Sequence, residues 1–184
     1  MLVIKKKFII FFFCVISTNS LAEISQTKIN NLFEDLRKTY DVSRAQVIEK
    51  EIWSLWYMHP TNTELTDKLE LGTEIMNYGN YEYALKIFNN IIKTDPTWAE
   101  AWNKRATLLY ITLNYERSLK DIDNVLKIEP RHFGALSGRI QIFFKQKKYS
   151  LAMDDLKRLK KINPTMINED FFNQLDKIIN GLKT

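Results

Sequence analysis

Apolar residues recur along this chain at the spacing of helices, without the strict alternation of a half-buried strand. Trp102, Ala106, Leu109 and Leu113 line one helical face, and after a break at Asn114-Tyr115, Leu119, Ile122, Val125 and Leu126 line another. This pair of stripes returns with a fixed step. Pro96, Pro130 and Pro164 stand 34 residues apart, as do Tyr81, Tyr115 and Tyr149. The columns Phe88, Ile122, Leu156 and Ile91, Val125, Leu159 stay apolar, and Ala84, Ser118, Ala152 stays small. Each proline falls past a second helix, where a ring without an N–H cannot continue the turn. Three helical hairpins are therefore predicted, over about 65–98, 99–132 and 133–166.

The flanks carry the same pattern more loosely. Phe171, Phe172, Leu175, Ile178, Ile179 and Leu182 predict a helix within 167–184 that covers the last hairpin, as the end of a stack requires. Upstream, Ile29, Leu32, Phe33 and Leu36 mark one helix, and Ile48, Ile52, Leu55 and Trp56 mark a second that ends at Pro60. Pro60 lies 36 residues before Pro96, so residues 23–62 form a hairpin that is either a degenerate repeat or a cap. Trp53 and Trp56, three apart on one helix, are placed as core residues facing the first repeat. The expectation is an all-α chain of nine helices and no strand.

The repeat resembles the tetratricopeptide repeat. Leu71-Gly72, Tyr81, Ala84, Phe88 and Pro96 carry the likeness in the first hairpin. Trp102, Ala106, Tyr115 and Pro130 carry it in the second, and Leu136, Tyr149, Ala152 and Pro164 in the third, where Ile140 replaces a usual small residue. The match runs from about Leu65 to Met166, and the stretches 101–106 and 129–138 are similar to an exported bacterial subfamily of no established role. The resemblance implies a right-handed solenoid of three repeats, with the first helix of each hairpin lining a concave face that holds a peptide or partner helix.

In that register the concave face presents Leu69, Thr73 and Asn77, then Asn103, Thr107 and Tyr110, then Ser137, Gln141 and Phe144. Amides and hydroxyls both donate and accept, so they satisfy an extended backbone without selecting its side chains. Tyr110 and Phe144 add apolar area for anchoring. Asn103, Thr107, Tyr110, Gln141 and Phe144 are the expected contacts, with Lys104 and Arg131 at the rim. Family members that grip the acidic tails of cytosolic chaperones use lysine, asparagine and arginine at set positions. The matching places here hold Leu69, Thr73, Lys104, Gly134 and Gly138, so that clamp is not expected.

Two further columns vary together. The family usually has leucine where Arg105 and Arg139 stand, and Leu71 keeps it in the first repeat. Sixteen residues on, Asp121 and Asp155 replace the apolar Ile87. An Arg–Asp pair inside hairpins two and three is the expected substitute for an apolar contact, with an anion site at Arg105 and Arg139 as the alternative.

Charge changes the picture only at the start of the chain. Lys5 to Lys7, the apolar run Phe8–Ile16 and Ser20-Leu21-Ala22 have the order of a secretory signal peptide over 1–22. The apolar run is far short of the about 20 residues that cross a bilayer. Removing the segment takes three lysines and no acid, so the formal charge falls from +5 to +2 and a nucleic-acid reading loses its support. The only cysteine, Cys14, leaves with it, and Phe12-Phe13 before it do not match a lipoprotein signal. An exported chain without disulfides fits a bacterial periplasm.

Chemistry is sparse. His59 and His132 each sit beside a proline-marked turn with no carboxylate or second histidine adjacent in sequence, and neither has metal-ligand spacing. No nucleophile signature or phosphate loop is legible. Gly134 and Gly138 are read as tight packing in the third hairpin, the lysines of 145–148 and 157–161 as solvated faces, and Arg131-His132 as a turn and cap. No catalytic residue, metal or cofactor is expected. The function read from the sequence is an exported protein- or peptide-binding scaffold. A structural subunit docking through its convex face or its Trp53–Trp56 hairpin is the alternative, and a small-anion receptor using Arg105, Arg131 and His132 comes third.

Overall fold

The computed structural model describes residues 23–181, so the signal segment lies outside the described residues. Among the described residues there are nine α-helices, a short 3₁₀ turn and no strand. Helix α1 spans residues 23–38, followed by α2 (Val42–Tyr57), α3 (Thr63–Asn77), α4 (Tyr81–Thr94), α5 (Ala99–Ile111), α6 (Tyr115–Ile128), α7 (Phe133–Lys145), α8 (Tyr149–Ile162) and α9 (Glu169–Gly181). No helix among them is long and apolar enough to cross a membrane.

Helices α3–α4, α5–α6 and α7–α8 form three hairpins, each packed on the next, and α9 closes the stack against α8. The second helices carry the core stripe: Ala84, Phe88 and Ile91, then Ser118, Ile122 and Val125, then Ala152, Leu156 and Leu159, all buried. The small column is set by close approach. The Ser118 hydroxyl, fully buried, donates to the Ala106 carbonyl across its hairpin. In the first hairpin a Cβ on Gly72 would lie 2.7 Å from the Phe88 ring. On α9, Leu175 is fully buried while Phe171 and Phe172 pack partly beneath it, which covers the last apolar face as expected.

Every turn inside a hairpin has one design. The N–H of Asn80 donates to the Ile75 carbonyl and that of Gly79 to Met76, the paired bonds of a Schellman cap with its left-handed residue at Gly79, φ 84°. Leu113 and Lys147 occupy the same place at φ 60° and 58°, with matching bonds from Asn114 to Leu109 and from Lys148 to Phe143.

The N-terminal pair departs from the expected place. Trp53 and Trp56 do not face the first repeat; they pack at the start of the third. The Trp56 indole stacks on His132 at 4.1 Å and 8°, and Trp53 meets Phe133 edge-on at 5.3 Å. Helix α2 lies across the turns that follow the three hairpins: Glu49 accepts from Asn163, Trp53 and Trp56 cover His132-Phe133, and the Trp56 carbonyl accepts from the Trp98 indole. The 36-residue step from Pro60 to Pro96 is thus not continued as a stacked fourth hairpin. Instead the pair straps the edge where the chain passes from one repeat to the next.

Candidate functional site

The face built by α3, α5 and α7 is divided by this strap. Near the turns, α2 covers it: burial there raises the Tyr57 phenol above its ordinary pKa, against a hydrogen bond with Thr73 of α3, and Lys104 lies over the Tyr57 ring. Beneath sits a polar knot absent from the sequence reading. Glu100 is fully buried, and its Oε2 accepts from the Asn103 amide at 3.1 Å and lies 3.2 Å from His132 Nε2. His132 Nδ1 accepts the Ala135 N–H, which caps α7 and leaves Nε2 as the N–H that donates to Glu100. Lys104 Nζ stands 3.4 Å from the other carboxylate oxygen. His59 repeats the arrangement, with Nδ1 accepting from Asn62 and Nε2 donating to Asp95 at 2.8 Å. Both histidines therefore have carboxylate partners, 32 and 36 residues away in the chain, where sequence adjacency shows none.

Beyond the strap the face is open. A cavity of about 320 Å³ lies between α5, α6 and α7, reaching from Thr107 and Tyr110 past Gly138 to Ser118 and Ile122. Its mouth is bridged by the Tyr110 hydroxyl, which donates to the Gln141 side-chain Oε1 at 3.0 Å. On the far side of that bridge a broader trough is lined by Tyr110, Gln141, Phe144, Lys145, Lys147, Tyr149 and Phe171. Phe144 is partly exposed and meets the rings of Tyr149 and Phe171 at 5.6 and 5.4 Å.

The structure thus brings Thr107, Tyr110, Gln141 and Phe144 onto one accessible strip. Asn103 lines the inner end of the cavity but is buried and bonded to Glu100. Neither rim residue stands free. Lys104 is held between Glu100 and Tyr57, while Arg131 is bonded to Glu129 and Asn30 with its guanidinium 4.2 Å from the Phe33 ring centre. Gly134 is close-packed against the N-terminal strap, since a Cβ there would lie 2.5 Å from the Trp53 ring; a Cβ on Gly138 would meet only the Ile122 side chain, at an ordinary contact distance of 3.7 Å.

The two expected ion pairs are present and bidentate. Arg105 meets Asp121 at 2.7 Å through both Nε and Nη2, and Arg139 meets Asp155 at 2.6 and 2.7 Å. Each guanidinium also reaches back one repeat, to Asn89 and Asp123, two residues again 34 apart that the sequence reading passed over. Burial works against the charge on Arg139, but Asp155 and Asp123 outweigh it and raise its pKa. With Arg105, Arg131 and His132 committed to internal partners, the anion-site alternatives lose their donors. Among the described residues, no group of three histidine, cysteine or acidic side chains is placed to hold a metal.

Stacked antiparallel helix pairs of constant length define the molecule as an α-solenoid of repeats. More narrowly, it has the tetratricopeptide-repeat fold. The chain is similar to the MamA RS-1 ArsTM double mutant, with 22% identity and a TM-score of 0.52, over 56% of this chain and 58% of that one. It is also similar to the first TPR of Spaghetti (RPAP3) bound to the HSP90 peptide SRMEEVD, with 21% identity and a TM-score of 0.57, over 65% of this chain and 94% of that one. This chain therefore spans little more than half the length of the first of these structures. No family model and no curated protein matches the sequence.

Proposed function

We propose that this protein is an exported adaptor or scaffold that binds a protein or peptide along the open half of its first-helix face. The observation that carries this reading is the cavity between repeats two and three, entered past Thr107, Tyr110 and Gln141. Pockets that accept ligand groups begin at about 300 Å³, so it has room for a buried side chain rather than surface water alone. The neighbouring RPAP3 repeat with its HSP90 peptide supports a peptide as the kind of partner. That peptide's acidic tail is not the expected ligand, because of the clamp positions Leu69, Thr73, Lys104, Gly134 and Gly138 only Lys104 is basic. The Trp53–Trp56 surface is not proposed for docking, since both rings are already spent on His132 and Phe133.

The test is capture of partners from a bacterial envelope extract by the tagged protein, beside a Tyr110→Ala, Gln141→Ala variant with the same circular dichroism spectrum. A partner held by the wild type and lost by the variant supports the groove. A partner held equally by both moves the working surface to the convex side.

A further inference from the structure

The cavity between repeats two and three does not end at its mouth. It shares Tyr110 and Gln141 with the neighbouring trough, so the two adjoin at the Tyr110–Gln141 bridge, and the pair of spaces is called the channel below. The ends of that channel differ in chemistry. At the inner end the small and apolar Ala106, Ile122, Gly138 and Ile142 stand with the uncharged Asn103, Ser118 and Ser137, and no charged side chain is in the lining. At the outer end stand the exposed Lys145 and Lys147, again with no acid in the lining. Neither lysine makes an ion pair among the described residues. Repeat geometry fixes their place: Lys147 is the left-handed turn residue and Lys145 ends α7. Both lysines line the same trough as Phe144 and Tyr149.

Gly138, Gln141 and Lys145 fall on one stripe of α7 at i, i+3 and i+7. Seven residues of helix rise about 10 Å, and an extended chain rising about 3.3 Å per residue covers that length in about three residues. We propose that the channel selects an extended peptide with an aliphatic side chain about three positions from an acidic one. The aliphatic group enters the cavity at Gly138, the peptide backbone crosses the Tyr110–Gln141 bridge, and the carboxylate lies between Lys145 and Lys147. This inference rests on the groove reading above and adds the chemistry of the occupant. The basic end lies in the turn of the third hairpin, away from the positions of the chaperone-tail clamp.

The test uses a library of random twelve-residue peptides selected on the protein, with enriched sequences resynthesised and titrated by fluorescence anisotropy. The expected sequences pair Leu, Ile, Val or Met with Asp or Glu three positions away. Gly138→Leu, whose Cβ would meet only the Ile122 side chain at 3.7 Å, adds a branched side chain to the cavity wall and is expected to weaken them at least tenfold. Lys145→Glu with Lys147→Glu is expected to weaken them at least tenfold, and peptides with lysine in place of the acid are expected to prefer that variant. Peptides lost on Gly138→Leu but indifferent to the lysine exchange overturn the inference and leave the groove reading standing. Peptides indifferent to both variants, or no enrichment at all, overturn both.

Discussion

At the scale of single residues, Arg105 shows how a polar pair substitutes for an apolar contact at a hairpin interface. Its side chain is 17% exposed and that of Asp121 6%, so either charge left alone is largely cut off from water. Arg105→Leu is expected to cost about 3 kcal/mol, the lower end for an orphaned buried charge, because Asp121 then faces an aliphatic chain. Adding Asp121→Ile, which recreates the Leu71–Ile87 combination of the first repeat, is expected to recover most of that loss in urea unfolding. A double variant no more stable than the single one contradicts the pairing. Leu113 offers the opposite case. It is a 71% exposed residue held at φ 60°, a conformation that costs a side-chain-bearing residue of order 1 kcal/mol or more. Leu113→Gly, copying Gly79 of the first repeat, is expected to raise stability by about 1 kcal/mol, read as a higher melting temperature.

At the scale of elements, the turns between repeats are held by carboxylates as much as by the prolines that mark them. Asp95 follows α4, and burial favours its neutral form, but the Thr97 hydroxyl and backbone N–H, with His59, outweigh burial and lower its pKa. A carboxyl group whose pKa is lower folded than unfolded adds stability that is present above the unfolded value near 4, and that is lost as pH falls through the folded one. The stability gap between wild type and Asp95→Asn is therefore expected to be full at pH 6 and to shrink steadily below pH 4. A gap unchanged at pH 3 rules out this linkage. The hairpins themselves were legible because 34-residue columns of apolar residues record the hydrophobic stripe of each helix directly. The Arg105–Asp121 and Arg139–Asp155 pairs were legible for the same reason, since charges replaced apolar residues in two columns together. The histidine contacts were not. His59–Asp95 and His132–Glu100 cross between elements outside the repeat register, and no local spacing encodes them. The engagement of Asn103 was not legible either, because its partner Glu100 sits in a buried knot with His132 that no repeat column records.

At the scale of the whole molecule, the N-terminal pair decides how much of the first-helix face is open. Its position could not be read from amphipathicity, since a helix with one apolar stripe can cap the end of a stack or lie along its side with equal chemical logic. Contacts made by Glu49, Trp53, Trp56 and His59 run along α2 and just past it, and they meet the turns at Asn163, His132, Trp98 and Asp95 in reverse chain order. One helix thus ties all three repeats together, where a solenoid otherwise binds only nearest neighbours. Trp56 is the centre of this strap, and its truncation to alanine is expected to cost about 3–5 kcal/mol. The loss falls on a particular set of groups, because undocking α2 returns Glu100, Asn103 and His132 to water while leaving Ala84, Ser118 and Ala152 in their hairpins. Hydrogen exchange of Trp56→Ala is therefore expected to speed up first across α1, α2 and residues 131–135, with α4 and α6 still protected. Urea unfolding is expected to broaden into two steps. A single sharp transition in which α4 and α6 lose protection together with α2 instead makes the strap part of one cooperative core, and the boundary of the open groove a fixed property of the fold.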